Sequence, residues 1–292
     1  MSVDELRRIR AFIPGRKFVS VSITGTQCSL MCNYCRGYYL RGMEQAITPK
    51  QLYDLAKHLH TEGAKGILIS GGFNKEGYLP IEPYINTIKE IKNDFGMIIS
   101  IHTGLINKSL AMKLREAKVD VVDYELVMDD YVIKNIMHLP SKSSEDFLKT
   151  YEELKTYGPP HIIPHILVGA NNGNIVKEFE TIEASIDGSP EIIVFLIITP
   201  TRGAGMYPAR IPSNQEVIKL INYARQKFNG EIALGCMRPT ITKYTLDNEL
   251  CELGIIDRIV NPLKNTINKF RLEVIQSCCS IPNELLTLHG LV

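Results

Sequence analysis

Ile192-Ile-Val-Phe-Leu-Ile-Ile198 is an unbroken apolar run dominated by β-branched side chains. A strand without polar alternation has no solvated face, so it must be covered on both sides, as parallel strands flanked by helices are. Outward from this run the pattern repeats in both directions, with short β-branched segments separated by longer helical ones. They fall at Phe18 to Thr24, Gly66 to Ser70, Met97 to His102, Val119 to Tyr124, Ile162 to Val168, Ile232 to Gly235 and Ile256 to Val260. The helices between them announce their starts. Thr48-Pro49 with Gln51 supplies an N-cap, a first-turn proline and a capping-box partner, and Ser213 with Glu216 repeats the box. Leu52, Leu55, Ala56 and Leu59 form a stripe that faces a sheet. Eight such βα units close most naturally into a (β/α)8 barrel of the TIM type, of about 250 residues; an open doubly wound α/β sheet is the other arrangement of the same elements. The expected division is a barrel domain over residues 1–264, opening with a short N-terminal extension, and a C-terminal tail over residues 265–292.

Composition narrows the function. Thirty-three Lys and Arg against 32 Asp and Glu leave almost no net charge, which gives no support to nucleic acid or a membrane surface as main partner. No transmembrane run is present. Seven cysteines is an odd number, a chain of 292 residues does not need staples, and no apolar leader precedes the first charged helix. These thiols are expected in a reducing cytoplasm rather than in a disulfide framework.

In a TIM-type barrel the active site lies at the carboxyl ends of the strands. The chemically suggestive residues follow that rule: Cys28 to Cys35 after the first strand, Ser70-Gly71-Gly72 after the second, His102 at the third and Glu125 at the fourth. Gly169 follows the fifth, Thr199 to Gly205 the sixth and Cys236 to Arg238 the seventh. Within Gly25-Thr-Gln-Cys-Ser-Leu-Met-Cys-Asn-Tyr-Cys-Arg-Gly37, the C-x3-C-x2-C spacing offers three thiolates to one inorganic centre. On a four-iron cube, three thiolates leave one iron without a protein ligand, and an open metal position is the usual mark of a catalytic site. A zinc site completed by a distant histidine is the plainer alternative.

The triplet resembles the signature of the radical S-adenosylmethionine (SAM) superfamily. The resemblance implies a 4Fe-4S cluster on Cys28, Cys32 and Cys35, with SAM on the fourth iron and reductive cleavage to a 5′-deoxyadenosyl radical. It also implies cofactor contacts at Tyr34, the aromatic residue before the last cysteine, and at Val168. Ser70-Gly71-Gly72 is similar to the glycine motif that holds the methionine amino group, although Phe73 replaces the acidic residue often found next. Glu125 falls where relatives bind the ribose hydroxyls or the methionine part of SAM, and Lys142 where an arginine meets the SAM carboxylate. Each has a structural alternative, an ion pair for Glu125 and a plain strand-end turn for the glycines. His102, Arg202 and Arg238 are candidate substrate contacts. His161 and His165 also lie in or beside core strands, where hydrogen-bonded filler is the ordinary role of a histidine.

The order of motifs further resembles biotin synthase and its relatives, with one departure. Biotin synthase holds a second, sulfur-donating cluster on inner-strand cysteines, whereas here no cysteine occurs between Cys35 and Cys236. Cys236, Cys278 and Cys279 are expected to hold an auxiliary iron–sulfur cluster instead. Cys251, on a helix with Leu246, Leu250 and Leu253, is either a further ligand or a small hydrophobe. Barrels of this kind look most like one subunit of the two-protein lipoyl synthase, which inserts sulfur into a protein-bound octanoyl chain. The implied partners are an octanoylated lipoyl domain or glycine-cleavage carrier protein, a second radical SAM subunit, and a reduced ferredoxin or flavodoxin-type donor. A radical SAM mutase or maturase, and a non-enzymatic metal or electron-transfer protein, are the competing readings.

Overall fold

The computed structural model describes residues 8–292, so the start of the charged segment expected ahead of the first strand lies outside it. The expected parallel α/β architecture is present. Eleven parallel strands form one curled sheet of the TIM-barrel type. They are β1 (Arg10–Phe12), β2 (Phe18–Ser22), β3 (Glu44–Gln45), β4 (Gly66–Ser70), β5 (Ile98–His102), β6 (Val121–Glu125), β7 (His161–Val168), β8 (Ile192–Ile197), β9 (Glu231–Leu234), β10 (Arg258–Val260) and β11 (Glu273–Ile275). All eight segments expected from the sequence are strands, with ends shifted by one or two residues. The three additions are short. From β4 to β10 each strand pairs with the next in sequence, while β1 sits between β10 and β11, and β3 flanks β2 at the other edge.

Helices α1 (Pro49–Thr61), α2 (Ile85–Phe95), α3 (Lys108–Glu116), α4 (Ser144–Tyr157), α5 (Glu178–Asp187), α6 (Asn214–Lys227) and α7 (Leu246–Leu253) connect the main strands. Thr48 Oγ1 accepts the Gln51 amide at 3.2 Å, and Ser213 and Glu216 close their box reciprocally. Leu52, Ala56 and Leu59 pack with Ile67, Ile69, Ile99 and Ile101 on the outer face of the sheet. Ile166, Val168, Ile193, Phe195 and Leu234 are the outer face beneath α5, α6 and α7. Among the described residues no helix is long and apolar enough to cross a membrane.

Strand alternation then sets the inner face. Its floor is apolar: Phe18, Ile98, Val121, Ile163, Val194 and Ala233 pack with Ile275, Cys279, Ile281 and Leu286 from the C-terminal segment. That segment continues through α8 (Lys264–Phe270), β11 and α9 (Asn283–Leu288), so the chain after Asn265 supplies both an edge strand and part of the interior. The fully buried Arg258 ties it down, donating to Cys279 O at 2.8 Å and Ile281 O at 2.6 Å while paired with Glu231. Two residues farther along the same strands the interior turns polar, with Ser70, Ser100, His102, Asp123, Glu125 and His165.

Candidate active site

The loop after β2 carries Cys28, Cys32 and Cys35. Backbone bonds from Ser29 N to Phe73 O (2.8 Å) and from Asn33 N to Ile136 O (2.8 Å) hold it across the ends of β4 and β6. Cys28 Sγ lies 3.9 Å from Phe73 O and Cys32 Sγ 3.8 Å from Met137 O. The three thiols are near enough for their charges to act on one another. Burial pushes Cys32 well above the ordinary thiol range, with the charges of Cys35 and Glu125 adding to it, and raises Cys35 to about 11. Thiols whose ionised forms are penalised both by burial and by each other fit a cationic centre, which would reverse that balance.

Tyr34 and Glu125 belong to this group. Burial raises the Glu125 carboxyl to about 7, opposed by a hydrogen bond from the Tyr34 hydroxyl, and Tyr34 also bonds to Cys32. The structure shows no cationic partner at Glu125, so the ion-pair alternative has no support there among the described residues.

The glycine pair has a steric role. A Cβ on Gly72 would meet Gln27 O at 1.9 Å, and the Gly72 amide is already given to Thr24 Oγ1 at 2.7 Å. Ser70 Oγ turns inward to His102 Nδ1, 3.1 Å away. The side chains of three further expected contacts are engaged elsewhere. The Val168 side chain is fully buried among outer-face residues, facing helices rather than the mouth. Lys142 lines a separate groove with Glu76, Glu82 and Lys149, and its nearest carboxylate is Asp146 at 3.9 Å. Arg238 is fully buried, its fork bound to both Asp247 oxygens (2.9 and 2.7 Å) and to Gly235 O (2.6 Å), which leaves it a loop anchor with no face toward substrate. Arg202 is exposed on a loop that packs on the cysteine loop through Met206 N to Asn33 O, at 2.9 Å.

The remaining cysteines divide. Cys236 follows β9, and Cys278-Cys279 lies between β11 and α9. Cys236 is exposed, Cys278 half-buried and Cys279 buried; the charge of Cys278 acts on Cys236, and a hydrogen bond from Cys279 lowers Cys278 and leaves Cys279 well above the usual range. Cys251 is elsewhere, packed with Leu246 and Leu250 on α7 and pushed to about 12 by burial. Of its two readings, the small hydrophobe is the one observed.

Two buried side-chain oxygens in the described residues have no hydrogen-bond partner, Asp123 Oδ1 and Ser277 Oγ. Ser277 immediately precedes Cys278, and the Asp123 charge reaches Cys278 and Cys279. Orphaned buried polar atoms beside clustered thiols fit a group that completes their bonding. Among the described residues no three or more His, Cys, Asp or Glu side chains converge as they would on a single metal ion. Asp123 was legible as the inner-face partner of Glu125, two residues away on one strand, a signal that attention to Glu125 alone passes over.

His102 and His165 flank Asp123, each with Nε2 3.9 Å from one of its oxygens, and their rings meet edge to face at 5.8 Å. Burial lowers His102 to about 4, so its ring is neutral at pH 7. His161 instead bonds to Glu191 and Glu284, both at 3.1 Å, at the opposite end of β7.

No curated protein matches the chain by sequence. Among solved structures, methylornithine synthase (PylB) has a TM-score of 0.66 at 14% identity, covering 98% of this chain and 86% of its own. HydG from Carboxydothermus hydrogenoformans, an FeFe-hydrogenase maturase, has a TM-score of 0.63 at 17% identity, covering 87% of this chain and 58% of its own. Streptococcus suis SuiB bound to S-adenosylmethionine has a TM-score of 0.58 at 14% identity, covering 82% of this chain and 53% of its own. Such identities speak for the fold alone. The Radical SAM superfamily profile matches residues 22–183, more than half of the chain, from the end of β2 into α5 and including the cysteine triplet, Gly72 and Glu125, and the chain therefore belongs to the radical SAM superfamily.

Proposed function

We propose that this protein is a radical SAM sulfur-insertion enzyme, one subunit of a two-component lipoyl synthase acting on a protein-bound octanoyl chain. The observation that carries the reading is the return of Cys278 and Cys279 to the interior of the sheet, toward the loop after β9 that bears the exposed Cys236, in the same sheet whose rim bears Cys28, Cys32 and Cys35. Radical sulfur insertion needs two parts, a site that removes hydrogen and a sulfur source within reach of the carbon left behind. The three rim thiols would hold the SAM-binding 4Fe-4S cluster, which when bound supplies the reducing electron. Tyr34 and Glu125 would orient SAM beside it through hydrogen bonds. Cys236, Cys278 and Cys279 would hold an auxiliary iron–sulfur cluster as sulfur source.

On this reading the partners are an octanoylated lipoyl domain or glycine-cleavage carrier protein, a second radical SAM subunit and a reduced ferredoxin or flavodoxin-type donor. Anaerobic reconstitution with SAM, reductant and an octanoyl-lysyl peptide, followed by mass spectrometry, tests it. The expected product gains sulfur. Turnover of SAM with no sulfur incorporated, with or without the partner subunit, would reject the reading.

A mutase or maturase reading is favoured by the folds of methylornithine synthase and HydG. It predicts about four iron atoms per chain rather than about eight, and no consumption of protein-bound sulfide.

A further inference from the structure

One carboxylate oxygen of Asp123, Oδ1, is buried without a hydrogen-bond partner. Asp123 stands on the inner face of β6, with its side chain 1% exposed. Its Oδ2 accepts the Ser100 hydroxyl at 2.5 Å, while Oδ1 has no partner. His165 Nε2 stands 3.9 Å from Oδ1, beyond hydrogen-bond reach, and His165 Nδ1 is turned to the backbone, 3.0 Å from Ile163 O. Leaving a buried carboxylate oxygen unpaired is costly, so an electropositive partner is missing from this place.

The position of Asp123 indicates the partner. Val121 and Ile163, one inward step below Asp123 and His165 on their strands, pack in the same interior cluster as Cys278 and Cys279. Three thiolates account for three irons of a four-iron cluster, and the fourth needs another donor. We propose that Asp123 is that donor, binding the fourth iron of the auxiliary cluster through Oδ1. The proposal rests on the second-cluster reading above. A carboxylate is a harder ligand than thiolate and is held less firmly by iron in a sulfide cluster, so the iron bound to Asp123 is the one most easily released when the cluster is opened. Ser100 fixes the carboxylate by its other oxygen, which leaves Oδ1 free to point at the metal.

The test uses the full chain, reconstituted anaerobically with 57Fe and saturated with SAM so that the first cluster has no open iron. The wild-type protein should hold about eight irons per chain, one of them in the auxiliary cluster distinguished in the Mössbauer spectrum by an oxygen ligand. Asp123→Asn should keep the iron but open that site, so that added 13C-cyanide gives a coupling in the ENDOR spectrum of the reduced protein, absent from wild type. Asp123→Cys, which restores an anionic ligand should Asp123→Asn fail to fold, should remove the distinct iron signal by making the site all-thiolate. Full iron content with spectra unchanged in both variants would overturn the assignment, as would the same spectral change appearing in Ser277→Ala instead. A wild-type content near four irons would remove the second-cluster reading itself, and this proposal with it.

Discussion

Gly72 lies flat against the backbone of Cys28: a Cβ built on it would stand 2.4 Å from Cys28 Cα and 2.6 Å from its Cβ. Real contacts are never so short, and the obstacle is backbone, so Gly72→Ala must push the cysteine loop off the end of β4. The expected outcome is a folded barrel with reduced iron at the first cluster. Circular dichroism should be near that of wild type while iron content and 5′-deoxyadenosine formation both fall. Wild-type iron and SAM turnover in Gly72→Ala would show that the loop can yield without loss.

The same glycine illustrates what the sequence conveys. Paired glycines after a strand signal close approach, but a sequence does not say whether ligand or backbone does the approaching. Long apolar strands such as Ile192–Ile197 and capped helices such as α1 were legible because period and caps are local properties. Arg10–Phe12 and Glu273–Ile275 were not, since three residues carry no period; they are strands because neighbouring edges offer them hydrogen bonds. Arg238 read as a substrate contact because its carboxylate, Asp247, lies on the next helix, and the pairing forms only when that helix packs. For the cysteines, already divided by their sequence positions, the fold adds that Cys251 is buried on α7 and that Cys278-Cys279 returns to the interior.

Replacing any one of Cys28, Cys32 or Cys35 with Ala is expected to abolish 5′-deoxyadenosine formation. The loop bearing them is on the rim rather than in the floor of the sheet, so the protein should remain folded. SAM cleavage near the normal rate after a single replacement would contradict the assignment of the open-iron site.

Glu125 gives a pH dependence in the metal-free protein. Its carboxyl is raised to about 7 by burial, so the folded state holds a proton that the unfolded state, titrating near the ordinary value of 4.5, has released. Its contribution is therefore neutral below the unfolded value and increasingly destabilising between the two, by up to about 3 kcal/mol above the folded value. Glu125→Gln removes this penalty. Denaturant melts of the apo protein should converge for the two forms near pH 4 and favour the variant near pH 8, whereas SAM binding to the loaded protein should weaken by about 1–3 kcal/mol if Glu125 accepts a ligand hydrogen bond. Parallel pH curves for variant and wild type would exclude the buried, raised carboxyl.

Asp247→Asn should be severely destabilising. Arg238 and Asp247 have no exposed side-chain surface, and losing the carboxylate leaves a buried guanidinium without its counter-charge. Breaking such a pair from one side costs about 3–5 kcal/mol. Because Arg238 also anchors Gly235 O, the segment around Cys236 should loosen, visible as faster alkylation of Cys236 below the unfolding transition. A change under 1 kcal/mol would mean that water reaches the pair.

Cys236 separates sulfur insertion from the other radical chemistry open to this fold. It is exposed in the loop after β9, while Cys28, Cys32 and Cys35 are held by the loop after β2 and by the ends of β4 and β6. Removing its thiol therefore leaves the SAM-cleaving site intact. If it anchors the second cluster with Cys278 and Cys279, Cys236→Ala should lose about half of the iron, still cleave SAM, and still abstract hydrogen from an octanoyl-lysyl peptide. It should form no carbon–sulfur bond, and the carbon radical, with no sulfur to meet, should appear as a desaturated or reduced peptide. Two assays on one variant then separate the outcomes. Retained SAM cleavage with lost thiolation places the sulfur source at Cys236, while normal thiolation would remove both the ligand assignment and the mechanism built on it.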